Sequence, residues 1–411
     1  MTKKITIFLA FVFLMGLLLV STHAAQKPVK ITWMDAQAYG TDKMDAFLAG
    51  LKNKLGVEIE IEHDANNYNE VLKTKINSGE TPDIWCNMAG NDNKVYAEYS
   101  YDFTKDAVTK KFNEDAVRQC LYKGKIYGLP WQYQSYSILY NKKVFAKAGI
   151  TKLPRTLKEL EQTCIILKSK GITPFANGYK EYWVLKHTVS HFIAAEGKSP
   201  LELANDITSG KLKFADMKYM KNSFDFIDLT LKYGQNKPLE SGWEDIENSL
   251  ARGDAAMIHM GDWCEPMLKK INPDVEVGFF PLPISDNPND ARVLSNVSWV
   301  WKVNKDSKNV AAAKKVLEYF LTSDKGEELN TQVFGCVPCT KNVSYKPSSM
   351  LAQSTLQYVS KGLTLPWPQS QWPDGFELKL GNLYQAYVSK EKTREQVLSQ
   401  LTEEWLRLTE Q

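Results

Sequence analysis

Residues 123–160 read KGKIYGLPWQYQSYSILYNKKVFAKAGITKLPRTLKEL, and this segment says more about the architecture than any other. A strand-like opening, Lys125 to Pro130, is stopped by Pro130, which lacks the amide that would continue a ladder. An aromatic and amide cluster follows: Trp131, Gln132, Tyr133, Gln134 and Tyr136. The chain then returns to a strand at Ser137–Tyr140 and passes Asn141 into a helix over Lys142–Ala148, which Gly149 ends. Pro154-Arg155-Thr156 precedes the next helix, with Thr156 placed as its N-cap. Aromatics therefore stand beside a crossover between two structural blocks, where ligand clefts form.

Working outward, Val29–Met34 reads as a strand, Met44–Leu55 as a helix, and Val57–Glu62 as a half-buried strand alternating apolar and acidic residues. Tyr68–Asn77 is helical and Thr81–Cys86 returns as a short strand. This β-α-β-α-β order predicts a mostly parallel sheet flanked by helices, with ligands outside the carboxyl ends of the strands. Beyond Asn141 the helices are Leu157–Lys170, Tyr182–Glu196, Met217–Tyr233 and Trp243–Arg252. Strands follow at Ala255–Met260, Val275–Phe280 and Ser295–Val303, then helices at Asn309–Thr322 and Lys392–Leu408.

At the amino end, Lys3-Lys4 precede an apolar run, Ile5–Val20, and the small residues near Ala24. This is the pattern of a secretory signal peptide over residues 1–24, too short for a bilayer span. The first cysteine is Cys86, so no lipid-anchor cysteine follows the cleavage site, and a periplasmic product is expected. A chain of 411 residues exceeds one ordinary core, which calls for two lobes. Its net charge of +3 and the lack of a Lys/Arg block give no reason to expect nucleic acid or an anionic membrane as partner. A monomer is expected.

The six cysteines allow 15 disulfide pairings, and their spacing is not that of a stapled mini-domain. Cys336-Val337-Pro338-Cys339 has redox spacing, but Pro338 and Thr340-Lys341-Asn342 read as loop rather than the helix start that lowers a thiol pKa. A local disulfide or free thiols is the favoured reading. His187 and His191 stand four apart on a helix without an acidic third ligand nearby, so ordinary helix histidines are favoured over a zinc site. The phosphate-binding loop, the Gly-x-Ser-x-Gly elbow and the His-Glu-x-x-His motif are missing from the sequence.

Several segments together resemble the bacterial extracellular solute-binding proteins, the group that includes the maltose-binding protein. Residues 123–160 carry part of the likeness, with Thr81-Pro82-Asp83-Ile84, Arg252–Met257 leading to Gly261-Asp262-Trp263, and Val277–Pro283. Ala311–Ser323 and Gly335–Pro338 continue it in the same order. The resemblance implies an α/β, type II periplasmic binding protein fold of two hinged lobes. One lobe would hold residues 25–139 and 295–338, the other 140–294 and 339–411. It also implies closure on a ligand and delivery to the transmembrane subunits of an ABC importer, with no catalysis and no cofactor or metal.

Eleven Trp and nineteen Tyr suit a carbohydrate ligand, whose apolar C–H faces take flat rings and whose hydroxyls take Asp, Asn and Gln. The candidate contacts are Trp33, Asp64, Asn66, Asn87, Trp131, Tyr133, Tyr179, Trp183, Trp243, Asp262, Trp263, Trp299 and Trp372. Asn67 and Asn91 belong to the same polar turns, Trp301 shares a face with Trp299, and Trp367 lies with Trp372 in the Pro-rich loop 365–373. Core packing is the competing role for each aromatic. Three alternatives stay open: a glycoside hydrolase or lyase, a binding protein for a polyamine, phosphorylated polyol or ferric iron, and a sensor rather than a transporter.

Overall fold

The computed structural model describes residues 27–35, 42–63 and 68–410. In chain order the strands are β1 Val29–Asp35, β2 Val57–His63, β3 Ile84–Met88, β4 Leu121–Tyr122, β5 Lys125–Ile126, β6 Leu129–Pro130 and β7 Gln132–Asn141. They continue with β8 Thr173–Ala176, β9 Ala255–Gly261, β10 Val277–Phe280, β11 Val293–Val297, β12 Trp299–Val303, β13 Val337–Pro338 and β14 Thr364–Leu365. A first sheet runs β2-β1-β3-β12-β6, with β1 parallel to β2 and β3, and β12 antiparallel to β3 and β6. A second, mixed sheet runs β14-β11-β7-β9-β8, with β10 and β13 also on β7. Strands β4 and β5 form a separate hairpin.

The local signals act as their chemistry requires. Gly149 ends its helix in the left-handed region at φ 78°. Asn141 Oδ1 accepts from Val144 N at 3.2 Å, and Thr156 Oγ1 accepts from Glu159 N at 3.0 Å, so both helices are capped. The Trp243–Arg252 helix has the expected limits.

Two expectations are corrected. The aromatic and amide cluster after Pro130 is not an open loop, because β7 begins at Gln132 and runs unbroken to Asn141. Its neighbours are β13 and β9 on one side and β11 and β10 on the other, so its ladder is filled over most of its length. Ser295–Val303 is not one strand either: β11 joins the second sheet and β12 the first, with Ser298 between them. The chain therefore passes between sheets at Trp131 and Ser298, whereas the lobe bounds implied by the resemblance fall at 139/140 and 294/295.

Each sheet has its own core. Under the first sheet Trp33, Trp131, Trp301 and Phe320 form one aromatic cluster, with Trp33 and Trp301 centroids 4.9 Å apart in a T-shaped contact. The second sheet is covered on both faces, by the cluster around Phe192, Phe226 and Tyr384 and by that around Tyr136, Leu250 and Met260. Among the described residues no helix is long and apolar enough to cross a membrane.

Trp131 donates from Nε1 to Asn330 Oδ1 at 2.6 Å and is 2% exposed. Trp131→Ala is expected to cost about 3–5 kcal/mol of folding stability, the range for large-to-small core changes, read as a shifted denaturant midpoint.

Candidate functional site

A cleft of about 820 Å³ opens between the sheets. Its floor includes Gln134 of β7 and Asn296 of β11, which are opposite one another in the antiparallel ladder. The first sheet supplies Met88, at the end of β3, and Trp299, at the start of β12. From the second half come Tyr182, Lys186 and His187 of the Tyr182–Ala194 helix, and Trp243 and Glu247 of the Trp243–Arg252 helix. Trp263 follows β9, and the Pro-rich loop brings Trp367, Gln369 and Trp372. At the rim the two halves touch. A Cβ on Gly90, at φ 93°, would lie 2.8 Å from Ser370 Cα, so the left-handed backbone and the close approach both call for glycine.

Gly261-Asp262-Trp263 has a steric explanation. The Trp263 ring folds back over Gly261, with ring carbons 2.1–2.3 Å from where a Cβ would sit. A side chain at 261 would evict the ring, which is tilted against Tyr136 at 5.8 Å and Trp367 at 6.2 Å. Trp263 is thereby held half-buried, with part of its surface on the cleft.

Of the residues expected at a site, Trp243, Trp263, Trp299 and Trp372 come together on this cleft. Trp372 is 3% exposed and packs edge-on against Phe376, whereas Trp367 is half-buried and stands edge-on to His187 at 4.8 Å. The others are elsewhere. Trp33 is fully buried against Trp301 and Phe320, because β1 is an inner strand. Trp301 shares that core, and Trp131 lies against it. Asn87 is buried on β3, its Nδ2 donating to Met88 O. Tyr179 is buried with its hydroxyl 2.7 Å from Thr230 Oγ1, and Trp183 packs among the second-sheet helices. Asp64, Asn66 and Asn67 lie outside the described residues, as does the side chain of Asn91.

Tyr133 and Asp262 line a second hollow of about 420 Å³ beside the cleft. The Tyr133 hydroxyl donates to Asp115 Oδ2 at 2.7 Å. Asp262 Oδ2 accepts from Ser135 N at 3.0 Å and Thr355 Oγ1 at 2.8 Å, tying the turn after β9 to β7 and to the Met350–Ser360 helix. Burial, with a smaller contribution from Glu265, pushes the Asp262 carboxyl up to about 7 against those two hydrogen bonds.

Sequence reasoning did not select Tyr182, Lys186, His187, Glu247, Asn296, Gln369 or Glu377. Two helical spacings carried a signal: Tyr182 with Lys186, and Trp243 with Glu247, each four apart and so on one helix face. Lys186 is 5% exposed and pairs with Glu377 Oε2 at 2.7 Å. Burial, then the charge of Glu244, raises the Glu247 carboxyl to about 8.

Beneath the cleft His187, His191 and His259 surround Tyr136, with His191 and His259 5.1 Å apart. Burial pushes all three below the usual histidine range, His191 to about 3, and Lys186 adds to the effect on His187. His259 Nδ1 is 2.7 Å from Thr188 Oγ1. Among the described residues no group of three or more His, Cys, Asp or Glu could hold a metal ion. All six cysteines are buried thiols; burial raises those of Cys336 and Cys339, the reverse of what a redox nucleophile needs.

Residues 37–327 match the model of the family described as bacterial extracellular solute-binding protein. The chain belongs to that family. As a solute-binding protein it is 22% identical over 332 residues to an uncharacterised ABC transporter extracellular-binding protein of Pyrococcus horikoshii, covering 77% of this chain and 72% of that one. It is 25% identical over 261 residues to the multiple sugar-binding protein of Streptococcus mutans, covering 62% and 61% of the two chains. Its fold is that of RafE: the raffinose complex superposes with a TM-score of 0.78 at 22% identity, over 92% of this chain and 99% of that one. The apo form of RafE from Streptococcus pneumoniae gives 0.80 at 21% identity, over 93% and 98%. These neighbours have the two-lobed type II fold of solute-binding proteins.

The histidines give the solute-binding protein an expected acid sensitivity. Each has a folded pKa below its unfolded value of about 6.5, so the unfolded chain binds more protons as pH falls through that value. Stability is then full above about pH 6.5 and declines below it by up to about 1.4 kcal/mol per unit for each histidine, the His191 share continuing toward pH 3. Denaturant melts at pH 7 and pH 5 read this, and His191→Gln should flatten the slope.

Proposed function

We propose that this solute-binding protein captures a neutral oligosaccharide in the cleft and delivers it, unmodified, to the transmembrane subunits of an ABC importer. The observation that carries the reading is the lining: Trp243, Trp263, Trp299, Trp367 and Trp372 from both halves, with the amides of Gln134, Asn296 and Gln369 between them. Flat rings cover the C–H faces of sugar rings and amides meet hydroxyls in pairs, while Lys186 and Glu377 neutralise each other. The volume, about 820 Å³, accommodates more than one sugar ring. Relatives support the class: besides the multiple sugar-binding protein they include the melibiose/raffinose/stachyose-binding protein MelE of Bacillus subtilis, 20% identical over 280 residues.

The two lobes would close by turning on the segments where the chain passes between sheets, Trp131, Ser298 and 334–340. The mature protein would act in the periplasm as a monomer. Among the described residues of the wall there is no arginine to favour phosphate, and one tyrosine and one histidine rather than a clustered iron-ligand set. Of its carboxyls Glu377 is paired with Lys186 and Glu247 is buried, which leaves Asp374 rather than the strongly acidic cleft a polyamine needs.

A thermal-shift screen of mono- and oligosaccharides tests the reading, because a ligand bound only by the folded state raises the melting temperature. An oligosaccharide recovered intact after long incubation is expected; shortened products would overturn the non-enzymatic reading. In calorimetric titrations with the saccharide so found, Trp263→Ala is expected to weaken binding by about 2–4 kcal/mol, as truncation of an aromatic hot spot does. Gly261→Ala should reproduce part of that loss by displacing the ring.

A further inference from the structure

Among the described residues of the cleft wall, one buried carboxyl has no charge partner. Glu247 is 1% exposed, lies one helical turn after Trp243, and its Oε2 is shielded from water without a hydrogen-bond partner. The lysine of the same wall, Lys186, is engaged by Glu377. On Glu247's own helix Glu244 repels a second negative charge, Asp245 accepts from Gly242 N, and Arg252 at the far end is exposed.

Among the described residues no cation on the elements packed against that helix is paired with Glu247. Cys264 lies close by as a buried thiol. On the Glu265–Ile271 helix, Glu265 accepts from Ser349 Oγ, Met350 N and Leu351 N, Lys269 donates to the carbonyls of Pro273 and Val275, and Lys270 is exposed. His259 of β9 is uncharged and held at Thr188. An ionised Glu247 would be an uncompensated buried charge, which proteins avoid by keeping the group neutral.

We propose that Glu247 is held as an uncharged carboxylic acid that donates a hydrogen bond to a ligand hydroxyl, so that capture of a neutral saccharide weakens as this acid ionises. A carboxylate only accepts hydrogen bonds, whereas the acid both donates and accepts, which matches a hydroxyl. Burial and Glu244 place the ionisation at about pH 8 in the free protein. The folded pKa is raised, so the neutral form and the affinity it supports are complete well below that pH. Both are lost as pH rises through it. This inference rests on the carbohydrate reading for its ligand, but the charge state of Glu247 does not.

Two measurements decide it. In ligand-free protein labelled with 13C at the glutamate carboxyls, one signal should titrate near pH 8 and be missing from Glu247→Gln. If every glutamate titrates below about pH 6, the uncharged acid is refuted. In calorimetric titrations the probe is raffinose, or, if raffinose does not bind, stachyose, melibiose or chitobiose in turn. The wild-type dissociation constant should rise about tenfold from pH 7 to pH 9 if only the acid form binds. Glu247→Gln, neutral at every pH, should lose that dependence, and Glu247→Ala should bind more weakly than Glu247→Gln at pH 6. A flat wild-type profile, or a slope kept by Glu247→Gln, overturns the proposal. If no saccharide binds, the carbohydrate reading falls together with the ligand half of this inference, and the carboxyl titration still decides the charge state.

Discussion

The backbone ladder of β7 is the constraint on which the molecule depends. Four strands bond to its ten residues, and the chain enters it directly from the first sheet through Leu129, Pro130 and Trp131. Because its amides and carbonyls are largely committed to neighbours, β7 is a rigid bar at the junction of the two halves. The cleft floor is built on it at Gln134, paired with Asn296, and Asp262 is tied to it at Ser135. A proline at 130 is tolerated here, because it ends the short strand β6, opposite Val300, and lies before the long ladder of β7 begins.

The tryptophans divide by their position on the sheets. Trp33, Trp131 and Trp301 share one core because β1 and β12 place alternate side chains under the Val310–Thr322 helix, against Phe320. Trp299, two residues before Trp301 on the same strand, is at the strand's open end and reaches the cleft instead. Trp263 stays available because Gly261 lets the ring lie on the backbone, where any Cβ would exclude it. Small changes of position therefore separate packing from recognition.

The second half is unusual in how many ionisable groups it keeps neutral near the cleft. His187, His191 and His259 are uncharged by burial, Glu247 and Asp262 are raised, and Lys186 is matched by Glu377. A wall whose buried ionisable groups are neutral or paired, with Asp374 as an exposed carboxylate at its edge, favours a neutral polyol, since hydroxyls meet donors and acceptors without competing for a buried counter-ion. The same burial couples the wall to pH from both sides: histidines resist protonation in acid, and carboxyls resist ionisation in base.

Local chemistry determined much of this protein in the sequence itself. The β-α-β-α-β opening, the caps at Asn141 and Thr156, the glycine stop at Gly149 and the limits of Trp243–Arg252 all follow from neighbours a few residues apart, where propensity and hydrogen-bond needs act directly. Gly261-Asp262-Trp263 stood out in the sequence by its resemblance to the family's segment, but the steric reason for its glycine, a Trp263 ring lying where a Cβ would be, appeared only in the structure. What only the tertiary structure decided are the long-range pairings. Periodicity cannot show that β11 and β12 part company at Ser298, that Gln132–Asn141 is a central strand, or which tryptophans are covered by a distant helix. Lys186 with Glu377, 191 positions apart in sequence as their numbers show, and Glu247 on the same cleft as Trp263 come together only through the packing of separate elements. Burial is a property of the assembled layers, so the residues that pack and the residues that recognise are chemically alike until those layers form.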